Sequence, residues 1–127
     1  MTTQDSRISS LNNHRDYVTQ WAIEKGWYKK GETLTNDQVG TKLMLAVGEL
    51  SEALEEIRAH HEPTEIYYTK SGETGALKPE GFPIEIVDTL IRLFELAGSL
   101  GIDLDYAFFT KMTYNEKRPF RHGGKAV

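Results

Sequence analysis

The sequence predicts an all-α domain, an antiparallel four-helix bundle. Three observations point there. Apolar residues recur at spacings of three and four over four separate stretches. Each stretch is bounded by a capping residue, a glycine or a proline. The 127-residue length suits one domain with a helical core. A second copy of the chain is expected to help cover one face at this size.

The first helix is expected from about Leu11 to Trp27, with Leu11, His14, Val18, Trp21, Ala22 and Ile23 on its stripe and Gly26 and Gly31 at its exit. The second opens on Thr35-Asn36-Asp37-Gln38, which reads as a capping box. Val39, Leu43, Ala46, Val47, Leu50, Leu54 and Ile57 follow it as a packing seam, and the helix ends near His60-His61, before Pro63. The third begins around Pro83, a residue suited to a first helical turn, and closes at Gly98 and Gly101. Its apolar residues cover most of the circumference, which predicts a central position. The fourth starts at Asp103 as N-cap and runs to about Lys117, where Pro119 stops it. Between the second and third helices, Glu62 to Phe82 includes strand-like Glu65-Ile66-Tyr67-Tyr68-Thr69 and turn-like Ser71-Gly72. A short hairpin or ordered loop is expected there. Met1 to Ser10 read as a flexible tail, leaving residues 11–127 as a single domain.

Composition narrows the function classes. The net charge of −4 offers no general attraction for nucleic acid or an anionic membrane, so neither is expected as a partner. No apolar run has the length of a membrane span, and the first ten residues lack the apolar core of a secretion signal. The absence of cysteine excludes disulfides, thiolate metal sites and a cysteine nucleophile, and suits a cytoplasmic location.

The chemistry is expected in the acids. On a helical wheel Glu49, Glu52 and Glu56 fall in one arc beside the apolar seam, at Ala46 and Ala53. On the third helix Glu85 and Asp88 lie one turn apart and share a face, with Arg92 and Glu95 beyond them. If the two helices pack antiparallel, Glu49 and Glu52 face Glu85 and Asp88. Four carboxylates gathered in one place repel one another and lose hydration. A hard divalent cation, Mg²⁺ or alternatively Mn²⁺, resolves that conflict with an all-oxygen ligand set. On the fourth helix Lys111, Asn115 and Arg118 share a face, followed by Arg121, His122 and Lys125. Their donors and charge suit a polyphosphate.

These runs resemble a known family. Val47-Gly48-Glu49-Leu50-Ser51-Glu52-Ala53-Leu54-Glu55-Glu56 is similar to the first metal motif of the MazG-like, all-α nucleoside triphosphate pyrophosphohydrolases. Ile84-Glu85-Ile86-Val87-Asp88 resembles their second motif, and Lys111-x-x-x-Asn115-x-x-Arg118 their phosphate-side motif, in the same order. The resemblance covers about Val18 to Lys125. It implies a four-helix fold of that type, Mg²⁺ dependence and a homo-oligomer, dimer or tetramer. The implied reaction is attack of water on the α-phosphorus of a nucleoside or deoxynucleoside triphosphate, giving the monophosphate and pyrophosphate. Glu49, Glu52, Glu85 and Asp88 would hold metal, and Glu49 or Glu52 would take the water's proton. Lys111, Asn115, Arg118 and Arg121 would contact phosphate, and Trp27 would line the nucleoside pocket. One departure is Gly48, where many relatives have an acid before the leading Glu.

Two rival readings exist. A ferritin-like di-iron protein also places acids inside a bundle, but it needs Glu-x-x-His pairs, which the chain lacks. A non-catalytic helical interaction module would use the seam of the second helix and the apolar excess of the third.

Overall fold

The computed structural model describes residues 10–127. The order is α1 (Leu11–Glu24), α2 (Asn36–Arg58), β1 (Tyr67–Lys70), β2 (Leu77–Glu80), α3 (Phe82–Leu100), α4 (Leu104–Glu116) and α5 (Arg121–Gly124). The tail expected over Met1 to Ser10 lies outside the described residues, apart from Ser10. That residue is the N-cap of α1, its side chain accepting from Asn13 N.

Local sequence sets the helix ends. Thr35 Oγ1 accepts from Gln38 N at 3.2 Å and Gln38 Oε1 accepts from Thr35 N at 2.8 Å, a complete capping box for α2. Pro83 lies in the first turn of α3, and Gly101 closes the helix in the left-handed conformation at φ 68°. Asp103 caps α4 through Tyr106 N at 3.0 Å.

Packing corrects the four-helix expectation. The described residues form five helices and a two-stranded antiparallel sheet, so the molecule is mostly helical but not a pure four-helix bundle. The main packing is of α3 against both α2 and α1. Buried Ala46 and Ala53 of α2, Val18 and Ala22 of α1, and Leu96 and Ala97 of α3 form the core, with Tyr28 beside them. The fourth helix does not join this core. Its Tyr106, Phe108, Phe109, Met112 and Tyr114 are exposed and spread around the helix, so no single stripe exists to bury.

Polar caps tie α4 to α1 instead. Asp105 Oδ1 accepts from Leu11 N at 3.0 Å, Asn12 Oδ1 accepts from Leu104 N at 2.8 Å, and Asn12 Nδ2 donates to Asp103 Oδ1 at 2.9 Å. Each side chain satisfies a backbone donor or side chain at the start of the other helix. The chain end adds α5, a single distorted turn in which His122 and Gly123 have positive φ.

The hairpin pairs Tyr67 with Glu80 and Lys70 with Leu77. Tyr67 anchors it to α2. Its hydroxyl donates to the Glu56 carboxylate at 2.9 Å, and its ring stacks on His61 at 4.5 Å. That hydrogen bond pushes the tyrosine pKa up to about 12, because ionisation would set two negative oxygens against each other. None of the described helices is long and apolar enough to cross a membrane.

α1 and α3 pack closely at Gly98. A Cβ there would collide with the Thr19 hydroxyl and lie 2.9 Å from Thr19 Cβ. Gly98→Ala is therefore expected to lower the thermal midpoint, by about 1–3 kcal/mol of stability at that temperature. Adding Thr19→Ala should recover part of the loss, and a neutral Gly98→Ala would contradict the close packing.

Candidate metal centre

The antiparallel run of α2 against α3 can be followed pair by pair. Lys42 meets Glu95 at 3.1 Å, and Glu49 meets Arg92 at 2.7 Å. As residue numbers rise on α2 they fall on α3. Lys42, Leu45, Glu49, Glu52 and Glu56 step along α2 at spacings of three and four, so one face carries all of them. On α3 the matching face carries Glu85, Asp88, Arg92 and Glu95.

Three of the four expected acids converge. One carboxylate oxygen from each of Glu49, Glu85 and Asp88 lies within 4.8 Å of the others, and all three side chains are half-buried. Glu52 is exposed and stands outside that group, but it lines the same cavity and its charge acts on Glu85. The wheel places it about 60° around the helix from Glu49, on the side of the hairpin. Glu56 does not join the carboxylates; it is held by Tyr67.

The electrostatics record the crowding. Glu85 is raised from 4.5 to about 7, first by burial, then by the Asp88 charge, then by a hydrogen bond shared with Glu49. Burial and the Glu49 charge also push Asp88 up, against the pull of Arg92 and Lys78. Such shifts mark carboxylates held together by the fold at a cost in charge repulsion. The donor set is all oxygen, is open to a cavity and comes from two rigid helices. Those features fit a hard divalent cation of the Mg²⁺ or Mn²⁺ type.

Two adjoining cavities meet at this cluster, sharing Leu45, Glu49, Asp88 and Arg92. One, of about 540 Å³, extends over Glu52 and Glu85 to Lys78 and Glu80 of β2. The other, of about 470 Å³, runs the opposite way to Trp21, Trp27, Lys42, Ile91 and Glu95. Trp27, expected at the base pocket, thus lines a cavity that reaches the acids. Trp21, expected on the apolar stripe of the first helix, lines it too and is 42% exposed. His14 is not part of this wall; its ring stacks on Phe94.

The basic residues of the chain end lie elsewhere. Lys111, Asn115, Arg118 and Arg121 line neither cavity. Lys111 and Arg118 stand over the Tyr114 ring, at 5.1 and 5.8 Å, and Arg121 over Phe120. The cations that line the two cavities are instead Arg92, Lys42 and Lys78, none of which sequence reasoning put among the site residues. For Arg92 and Lys42 a signal was present. Both continue the three-and-four spacing of the acidic stripes. For Lys78 the hairpin register was needed, and no helical period contains it.

The shift of Glu85 has a sign that can be measured. Between 4.5 and about 7 the folded chain keeps a proton that the unfolded chain has lost. Its contribution is therefore fully present below the lower value and is lost as pH rises through the higher one. With a chelator present, thermal stability should fall between about pH 5 and about pH 8, and Glu85→Gln should flatten that fall. A rise over the same range would contradict the crowded cluster. No family model, no curated protein and no solved structure matches the chain.

Proposed function

We propose that the chain is a Mg²⁺-dependent nucleoside triphosphate pyrophosphohydrolase, acting on a ribo- or deoxyribonucleotide at the α-phosphorus. One observation carries this reading. Carboxylate oxygens of Glu49, Glu85 and Asp88 lie within 4.8 Å of one another at the junction of two cavities. The motif resemblance to the MazG-like enzymes supports it from the sequence side.

In this reading Glu49, Glu85 and Asp88 hold the metal, with Glu52 at the edge of the set. Bound there, Mg²⁺ would supply a positive charge that makes water easier to deprotonate and offsets charge on the phosphoryl oxygens. Arg92 keeps Glu49 in position through its 2.7 Å contact. Glu49 is thereby engaged, which leaves exposed Glu52 as the better acceptor for the proton of the attacking water. Lys78, on the hairpin, presents a positive charge to a phosphate chain lying in the second cavity. The base lies toward Trp27 in the first. A cytoplasmic setting belongs to the same proposal.

A homo-oligomer, dimer or tetramer, is also part of it. Leu43, Val47, Leu50, Leu54 and Ile57 repeat at spacings of four and three along α2, and all are exposed, by 38–57%. The described residues leave this heptad stripe exposed, and a second copy would cover it. Lys111 and Asn115 of α4, with Arg118 and Arg121 beyond its end, are assigned to phosphate contact within such an assembly. A non-catalytic interaction module draws on the same stripe but leaves the opposed carboxylates without a use.

With Mg²⁺ and a panel of nucleotides, the expected products are the nucleoside monophosphate and pyrophosphate. Asp88→Asn and Glu52→Gln should each remove that release. Orthophosphate as product, or full activity in both variants, would overturn the assignment. Sedimentation should give a dimer or tetramer for the natural chain and a monomer for Leu50→Glu/Leu54→Glu. A monomeric natural chain would remove the oligomer from the proposal.

A further inference from the structure

The end of the first cavity farthest from the acids contains a charged pair that the reaction itself does not require. Lys42 Nζ donates to Glu95 Oε1 at 3.1 Å, and both side chains are largely covered, 25% and 14% exposed. Holding a half-buried ion pair between two helices carries a desolvation cost, and an apolar pair would close the same seam without it. The pair shares its cavity with the indoles of Trp21 and Trp27 and with Ile91. Apolar walls with one donor and one acceptor group at the end describe a pocket that takes a flat, polar-edged ring.

Its distance from the acids also fits. Lys42 precedes Glu49 by seven residues on α2, and Glu95 follows Asp88 by seven on α3. The charged pair thus lies about 10 Å along the helices from the carboxylate cluster. A nucleotide with its α-phosphate at the cluster places the edge of its base at comparable reach.

We infer that Lys42 and Glu95 read the Watson–Crick edge of a guanine-type base, a 2-amino-6-oxopurine, held beside Trp21 and Trp27. The inference rests on the nucleotide reading of the site given above. The choice follows from the order of donors and acceptors. A lysine ammonium only donates, and an ionised carboxylate only accepts. Guanine presents the 6-oxo acceptor followed by two adjacent donors, N1–H and the 2-amino group. The ammonium takes the first and the two carboxylate oxygens take the others. Glu95 Oε2 has no protein partner among the contacts of the described residues, so it is available for this role. Adenine and cytosine offer an amino donor next to a ring acceptor, and uracil or thymine a single N–H between two acceptors. In each of those bases one carboxylate oxygen faces an acceptor or nothing, which a pocket built on hydrogen bonds penalises.

The test compares kcat/KM for dGTP, dITP, dATP, dCTP and dUTP with Mg²⁺, in the natural chain, Glu95→Gln and Lys42→Met. The natural chain should rank dGTP first and dITP next, since hypoxanthine keeps the 6-oxo and N1–H groups but lacks the 2-amino group. Glu95→Gln should reduce the dGTP to dATP ratio on the order of tenfold to a hundredfold and remove the advantage of dGTP over dITP. Lys42→Met reports on the same pocket should Glu95→Gln fail to fold. It should depress dGTP and dITP together relative to dATP, through loss of the 6-oxo contact. First rank for a pyrimidine or adenine nucleotide would overturn the inference while leaving the pyrophosphohydrolase reading intact. So would a dGTP to dATP ratio that neither folded variant changes. Absence of pyrophosphate from every nucleotide would overturn the enzyme reading itself, and this inference with it.

Discussion

The contact of α2 on α3 sets the rest of the structure. Buried alanines at 46 and 53 let the two helices approach, and a polar stripe runs alongside that seam on both. Because the helices are antiparallel, the stripes meet residue for residue: Lys42 with Glu95, Glu49 with Arg92, and Glu49 with Glu85 and Asp88. Opposite charges cancel at one end of the stripe. In the middle three carboxylates meet one guanidinium, and burial, together with the surplus negative charge, raises the pKa of Glu85 and Asp88.

The other elements take their places around that line. α1 packs on α3, with Gly98 close against Thr19, and it brings Trp21 to one wall of the cavity. Tyr67, bonded to Glu56 at the C-terminal part of α2, holds the hairpin so that Lys78 reaches the other wall. Few large side chains are deeply buried, since the core is built mainly from small residues, and the heptad stripe of α2 stays open. That stripe is the surface the proposed second copy would bury.

Much of the site was legible in the sequence because a helix converts spacing into direction. The 3.6-residue period set Glu49 on one stripe and Glu85 and Asp88 on another, the condition of antiparallel packing brought the stripes face to face, and the capping box and Gly101 placed the helix ends. Glu52 shows the limit of that reasoning: three residues from Glu49 is the same broad face but a different aim. The pairings of Arg92 and Lys42 depended on the register between two helices, which no single wheel contains. Lys78 depended on a strand register. The four-helix bundle failed at α4, and the reason was visible in its residues. Tyr106, Phe108, Phe109, Met112 and Tyr114 do not share a stripe, so the helix is held by Asn12, Asp103 and Asp105 rather than by a core.

The central claim is that the three gathered carboxylates form a cation site. The most direct measurement is an anomalous difference map from crystals soaked in Mn²⁺. The account predicts a peak between Glu49, Glu85 and Asp88, on the side open to Glu52, and its disappearance in Asp88→Asn. A map with no peak there, while the three side chains keep their positions, would contradict it.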